Sequence, residues 1–339
     1  MNSFELRLLG RTSLSLTALG FGGSSVGNLY GPVSEDDALG AIGEAYEAGV
    51  RYFDTAPLYG NGLGEHRTGH ALRDRPRGDF VLSTKVGRLL DPLPSGTSRA
   101  AADRHRLPFG VRDDYSYDGV MRSMEHSLQR LGMDRVDVVL IHDIDACNQG
   151  VGQRQRFDEA MNGAYPALER LRDSGAIAAI GVGVNDWRIC AACLESADFD
   201  CFLLAGRYTL LDHEALQTFL PACARRGVGV IVGAPYNSGI LARGAVEGAT
   251  YFDAPPSPEV LEKVSRMERT CAAHGVSLAA AALRFPLGHP VVTSVLPGVR
   301  SAADVGRTID LFDEIIPDDL WLQLKSEGLI HAEAPVPEN

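Results

Sequence analysis

Short apolar runs alternate along the chain with longer stretches in which apolar residues recur every three or four positions. The first pattern marks buried strands and the second amphipathic helices. Strands are predicted over residues 18–22, 51–55, 80–86, 136–142, 178–184, 201–205, 228–233 and 291–296. Helices are predicted from residue 34, then over 64–73, 117–131, 165–174, 187–196, 213–226, 257–287 (broken at His274-Gly275) and 302–312, with one more over 318–327. The first of these opens on Ser34 as cap, with Glu35, Asp36 and Asp37 in its first turn, as a helix dipole favours. Residues 6–16 read as a small hairpin ahead of the series. Residues 87–116, rich in Pro, Gly, Arg and Asp, read as a loop too long to be a mere connector and suited to be a lid.

Eight strand–helix units with nearly continuous apolar strands predict an α/β fold of the closed parallel (β/α)8 TIM-barrel type. A doubly wound sheet is the alternative. No shift in composition and no linker divides the chain, so residues 1–339 are expected to form a single domain, with an N-terminal β-hairpin and an extra C-terminal helix.

Composition narrows the functional classes. The 45% apolar and 22% charged content is that of an ordinary globular protein. No stretch of about 18 apolar residues marks a membrane span, and residues 1–7 lack the pattern of a signal peptide. A formal charge of −12 argues against nucleic acid or an anionic membrane as partner. The six cysteines are scattered in mostly apolar surroundings, where they pack as small hydrophobes, which fits a reducing cytoplasm. His66 and His70 lie one helical turn apart, but no third ligand accompanies them, and no metal is expected. The arginines of 99–106 read as solvated surface. No exposed apolar stripe marks an oligomeric face.

One compositional detail bears on chemistry. Of 32 basic residues only Lys85, Lys263 and Lys325 are lysine, and Lys85 alone sits in an apolar strand, Phe80-Val81-Leu82-Ser83-Thr84-Lys85-Val86. In a parallel barrel the active site lies at the C-terminal strand ends. The polar residues there are Asp54 with Tyr59 one turn on, Lys85, His142 with Asp143, and Asn185. A lysine cation near a tyrosine lowers the phenol's pKa, an aspartate keeps that lysine charged, and a histidine can donate to a substrate oxygen. A tyrosine so placed is a general acid or base for a carbonyl/alcohol pair.

The segments Phe53-Asp54-Thr55-Ala56-Pro57-Leu58-Tyr59-Gly60, Ser83-Thr84-Lys85 and Leu140-Ile141-His142-Asp143 resemble the aldo-keto reductase superfamily. So do Ile180 to Trp187 and Leu296 to Ser301. The resemblance runs from about residue 6 to about residue 330. It implies hydride transfer between a nicotinamide cofactor and a carbonyl or alcohol carbon, with the tetrad Asp54, Tyr59, Lys85 and His142. The stretches 117–123, 203–211 and 233–241 are most similar to the aldose 1-dehydrogenase branch, which holds L-fucose, L-galactose and D-threo-aldose dehydrogenases, with pyridoxal dehydrogenase nearby.

The same resemblance assigns cofactor contacts. Asn185 would hold the carboxamide, although Val184 stands where many members have serine, Ala205 where they have glutamine, and Gly233 where they have the tyrosine that stacks on the nicotinamide. The loop from Ala234 through Tyr236 and Asn237 to Gly239 would offer backbone N–H groups, and Ser238 its hydroxyl, to the pyrophosphate. Gly22 would line the strand mouth beside the cofactor. Gly298 and Asp304 occupy positions where NADP-using relatives place a lysine and an arginine; a carboxylate there favours NAD, while Arg300 can pair with a phosphate. NAD is the favoured cofactor and NADP the alternative. The expected reaction oxidises the anomeric carbon of an aldose to a lactone; the alternative is a general aldehyde or ketone reductase, or a pyridoxal-type dehydrogenase. A barrel glycoside hydrolase would need two flanking carboxylates that the strand ends lack, and a cofactor-sensing module would have less need of a tuned tyrosine. The partner implied is a small sugar or aldehyde.

Overall fold

The computed structural model describes residues 2–97 and 105–338. Two short antiparallel strands, β1 (Leu6–Leu8) and β2 (Ser15–Thr17), form the expected hairpin, with Arg7 opposite Leu16. The next strands are β3 (Phe21–Gly22), β4 (Tyr52–Asp54) and β5 (Val81–Val86), then an antiparallel pair, β6 (Arg88–Pro92) and β7 (Phe109–Asp113). After them come β8 (Val138–His142), β9 (Ala179–Val184), β10 (Cys201–Ala205), β11 (Gly229–Gly233) and β12 (Val292–Leu296). The barrel strands pair in parallel in the order β3-β4-β5-β8-β9-β10-β11-β12. Parallel bridges from Leu19 to Val295 and from Gly22 to Gly298 join the two edges. The protein is a single-domain (β/α)8 barrel.

Between strands run α1 (Glu35–Ala48), α2 (Leu63–Leu72), α3 (Tyr117–Leu131), α4 (Ala146–Gln149), α5 (Gln153–Glu159), α6 (Tyr165–Asp173), α7 (Trp187–Ser196), α8 (Phe219–Arg226), α9 (Ile240–Arg243), α10 (Pro258–Ala273) and α11 (Leu278–Arg284), and after β12 come α12 (Ala302–Asp313) and α13 (Asp318–Ser326). Ser34 caps α1 by accepting the Asp37 N–H. None of the described helices is long and apolar enough to cross a membrane.

Apolar burial falls into two bodies. The larger one fills the ring between strands and helices. The smaller one lies inside the barrel and includes Tyr52, Val138, Leu140, Leu203, Ile231 and Leu296, closed from below by Leu9 and Leu16 of the hairpin. Side chains two apart on a strand share a face. Tyr52, Ser83 and Leu140 therefore set the direction of Asp54, Lys85 and His142, which stand on the same inner face one step nearer the C-terminal mouth.

Several expectations need correction. The segment 87–116 is not a plain loop: the β6–β7 hairpin occupies its described part, and the arginines at 99 and 104 lie outside the described residues. Residues 146–173 are helical almost throughout, with one wide turn at 160–164, where the sequence predicts only 165–174. Gly150 and Gly152, together with the polar Gln153-Arg154-Gln155-Arg156, hide the periodicity there. The predicted helix 213–226 splits into a single turn at 214–216 and α8. The first barrel strand shortens to Phe21–Gly22, residue 19 keeping a single bridge.

Candidate active site

The C-terminal mouth opens into a cavity of about 410 Å³ lined by Asp54, Tyr59, Lys85 and His142. Asp54 ends β4, and Lys85 lies in β5, where its ammonium is 1% exposed. A buried ammonium survives only if paired and hydrogen-bonded. Lys85 Nζ lies 2.6 Å from Asp54 Oδ2 and 2.9 Å from the Thr55 carbonyl. The other carboxylate oxygen accepts from Ser83 Oγ at 2.7 Å, and Tyr52 Oη lies 3.0 Å from the same Ser83 oxygen. Ser83 has one proton and gives it to Asp54, so Tyr52 is the donor in the second contact. The pair thus rests on a chain of hydroxyls that runs down into the barrel.

Tyr59 reaches the pair from the turn after β4, where Gly60 takes a left-handed φ of 65°. A Cβ at that position would lie 2.2 Å from the Gly27 carbonyl oxygen, so only glycine fits the turn. The Lys85 ammonium stands 4.7 Å from the Tyr59 ring centre, and the His142 ring meets Tyr59 edge-on at 6.0 Å. Burial holds the Tyr59 phenol well above its ordinary pKa, and the Asp54 charge pushes it the same way. The expected lowering by Lys85 is therefore overridden: Asp54, at salt-bridge distance, cancels most of the lysine's field. Burial, then Lys85 and Arg88, hold His142 well below its ordinary pKa, so its imidazole is neutral. A protonated phenol and a neutral imidazole both offer donors to this cavity.

Of the residues expected at the cofactor, Gly22, Asn185 and Ala234 line this cavity. Asn185 is held at both ends of its backbone, its N–H donating to Asp145 Oδ2 at 2.6 Å and its carbonyl accepting from Arg207 Nε at 2.9 Å. A second cavity, of about 290 Å³, shares Asn185 and Ala234 with the first and continues to Asn237 and Ser238. In the turn after β11, Ala234, Asn237 and Ser238 have φ of 48°, 46° and 57°. Asn237 is buried and spends its side chain on Thr209 and the Gly206 carbonyl. The Ser238 hydroxyl donates to Asp253 and accepts from its N–H. The N–H groups of Asn237 and Gly239 donate within the turn, to Ala234 and Tyr236.

Gly298, Arg300 and Asp304 line neither cavity. They gather at the end of β12 and the start of α12, where Arg300 Nη2 donates to the Pro32 carbonyl at 2.7 Å. Asp304 Oδ2 accepts the Arg300 N–H, and Oδ1 pairs with Arg307.

Three residues at the site escaped sequence reasoning. Arg207 lies 3.6 Å above the Phe252 ring, and with Asp253 these close the outer cavity. A contact spanning so many residues leaves no periodic signal. The two cavities share lining residues and form one elongated space, and small residues (Gly22, Ala205, Gly233) leave room at its inner end.

A parallel barrel with a buried Lys–Asp pair, a phenol and a neutral imidazole at its mouth defines an oxidoreductase of carbonyl and alcohol carbons. The chain belongs to the aldo/keto reductase family, which it matches over residues 18–326. It is 42% identical to pyridoxal 4-dehydrogenase of Microbacterium luteolum, over 97% of this chain and 99% of that one. It is 37% identical to D-threo-aldose 1-dehydrogenase of a Pseudomonas species, over 94% and 95%. Among solved structures it is similar to the holo form of aldo-keto reductase AKR11C1 from Bacillus halodurans, with a TM-score of 0.74, 25% identity and 99% coverage of both chains. Nicotinamide dinucleotides are the cofactors of this family.

Proposed function

We propose that this protein is a dehydrogenase that oxidises the anomeric carbon of an aldose to the lactone. The observation that carries the reading is the gathering of Tyr59, His142 and the Asp54–Lys85 pair at one mouth, in a cavity whose other polar lining includes Tyr30, Asp143, Asn148 and Asp253. Such a lining suits a substrate with several hydroxyls. A bound nicotinamide dinucleotide would accept the hydride from the anomeric carbon. The chain's own groups do the rest. Tyr59 Oη takes the hydroxyl proton in oxidation and returns it in reduction. The neutral His142 donates to the reacting oxygen and fixes its direction. Lys85, whose field Asp54 largely cancels, leaves a residual positive charge 4.7 Å from the Tyr59 ring centre that favours the phenolate formed during turnover.

Asn185, with its backbone anchored, is assigned to the carboxamide, and Ala234 and the rest of the β11 turn to the pyrophosphate. The Ser238 hydroxyl bonds Asp253, and the Asn237 and Gly239 N–H groups donate within the turn, so the role is given to the turn's other backbone N–H groups. NAD is favoured over NADP, since Asp304 places a carboxylate in the first turn of α12; Arg300 and Arg307 are the opposing cations.

A pyridoxal-type reaction is the second reading, supported by the 42% identity to pyridoxal 4-dehydrogenase. Pyridoxal closes to a ring hemiacetal as aldoses do, so the same groups could remove its hydride and proton. Initial rates with L-fucose, L-galactose, D-arabinose and pyridoxal, each with NAD and with NADP, decide between them. Fast sugar oxidation with NAD is the expected result. Turnover of pyridoxal alone would replace the aldose reading, and turnover with NADP alone would overturn the argument from Asp304.

A further inference from the structure

Asp143 follows His142 directly and should, by strand alternation, point away from the barrel interior. It does not. Its φ of 52° is left-handed, a conformation that aspartate tolerates and most residues avoid. This turns the side chain back into the main cavity, where it is buried. The turn is pinned on all sides. The Asp143 N–H donates to the Gly183 carbonyl at 3.0 Å, Tyr115 Oη donates to the His142 carbonyl at 2.6 Å, and Gln149 Nε2 donates to the Asp143 carbonyl at 2.9 Å. A strained residue held this firmly points to a function.

The carboxylate's close cationic and N–H neighbours both fall on Oδ2: Arg88 Nη2 at 3.0 Å and His142 Nε2 at 3.5 Å. The latter is too long for a firm hydrogen bond and leaves the imidazole N–H free for substrate. Oδ1 remains for a donor entering from the cavity. Burial pushes this carboxyl up to about 6 in spite of Arg88, so at neutral pH it is an ionised and incompletely solvated acceptor.

From this geometry we infer that Asp143 is a specificity residue, its carboxylate accepting a hydrogen bond from a hydroxyl on the carbon next to the reacting one. The inference rests on the oxidoreductase reading above and deepens it. His142 holds the reacting oxygen, and an acceptor beside His142 Nε2 is within reach of the second oxygen of a vicinal pair. The site then selects 2-hydroxy aldehydes and their ring hemiacetals over compounds lacking that hydroxyl.

The test compares lactaldehyde with propanal, which differ only in that hydroxyl. Both are reduced by the wild type, Asp143→Gly and Asp143→Asn, with NADH and with NADPH. Glycine keeps the backbone at ease at this φ, and asparagine keeps the side-chain shape. The wild type is expected to favour lactaldehyde by roughly 10- to 100-fold in kcat/KM, the value of a hydrogen bond to a charged acceptor. In Asp143→Gly the ratio of kcat/KM for lactaldehyde over propanal should fall to about one, whatever change the two rates share; in Asp143→Asn the ratio should fall part of the way. Equal slowing of both substrates would mean that Asp143 only supports His142, and would overturn the inference. So would a wild type without preference, or one inactive on both aldehydes. A wild type that prefers lactaldehyde but oxidises no sugar would instead overturn the aldose reading and leave Asp143 its role.

Discussion

Lys85 and Asp54 offer a test in which stability and catalysis separate. Asp54→Asn removes the carboxylate 2.6 Å from an ammonium that is 1% exposed, leaving the Thr55 carbonyl as its remaining hydrogen-bond partner. An uncompensated charge in such a site costs about 3–5 kcal/mol. The double variant Asp54→Asn/Lys85→Met removes both charges, keeps the long apolar stem and leaves an amide oxygen that can still accept from Ser83. It should recover to within roughly 1–2 kcal/mol of the wild type, because a matched pair in a dry interior contributes little net stability. Both proteins should lose turnover. Urea unfolding followed by fluorescence, with Lys85→Met alone completing the cycle, gives the coupling energy directly. A double variant as unstable as Asp54→Asn would refute the reasoning. So would an Asp54→Asn protein within about 0.5 kcal/mol of the wild type, the range of a neutral surface change.

Four further outcomes follow from the same geometry. Tyr59→Phe should lower kcat by roughly 10²- to 10⁴-fold while leaving cofactor binding, read by quenching of protein fluorescence, in place. Because the Tyr59 phenol is held above its ordinary value of 10, its ionised fraction grows tenfold per pH unit through the neutral range. Oxidation should therefore accelerate into alkaline pH, and a plateau near pH 7 would contradict that direction. Ser83→Ala deletes the donor to Asp54 Oδ1 and strands Tyr52 Oη, for a stability loss of about 1–3 kcal/mol measurable by urea unfolding. Gly87→Ala puts a Cβ 2.1 Å from the Tyr115 ring at a φ of 101°. It should lower both Tm and kcat, since Tyr115 holds the His142 carbonyl; an unchanged kcat would detach that contact from catalysis.

The barrel was legible because its parallel strands are buried on both faces and read as nearly continuous apolar runs. The tetrad was legible because three of its members interrupt those runs at strand ends. What escaped lies where the local rule is broken or the partner is distant in sequence. The β6–β7 hairpin is polar and half exposed, so it carries no strand signature. Asp143 looked like one more strand-end polar residue, because alternation cannot foresee the left-handed turn that brings it back inside. The sign of the Tyr59 shift is the sharpest instance. Sequence supplies a lysine, an aspartate and a phenol, and with charges alone the cation wins. Once Asp54 lies 2.6 Å from Nζ and the phenol is buried, the cation's field is largely cancelled and desolvation decides. On the proposed mechanism, a phenol held above its ordinary value favours proton donation in reduction, and oxidation draws on the phenolate fraction that rises with pH.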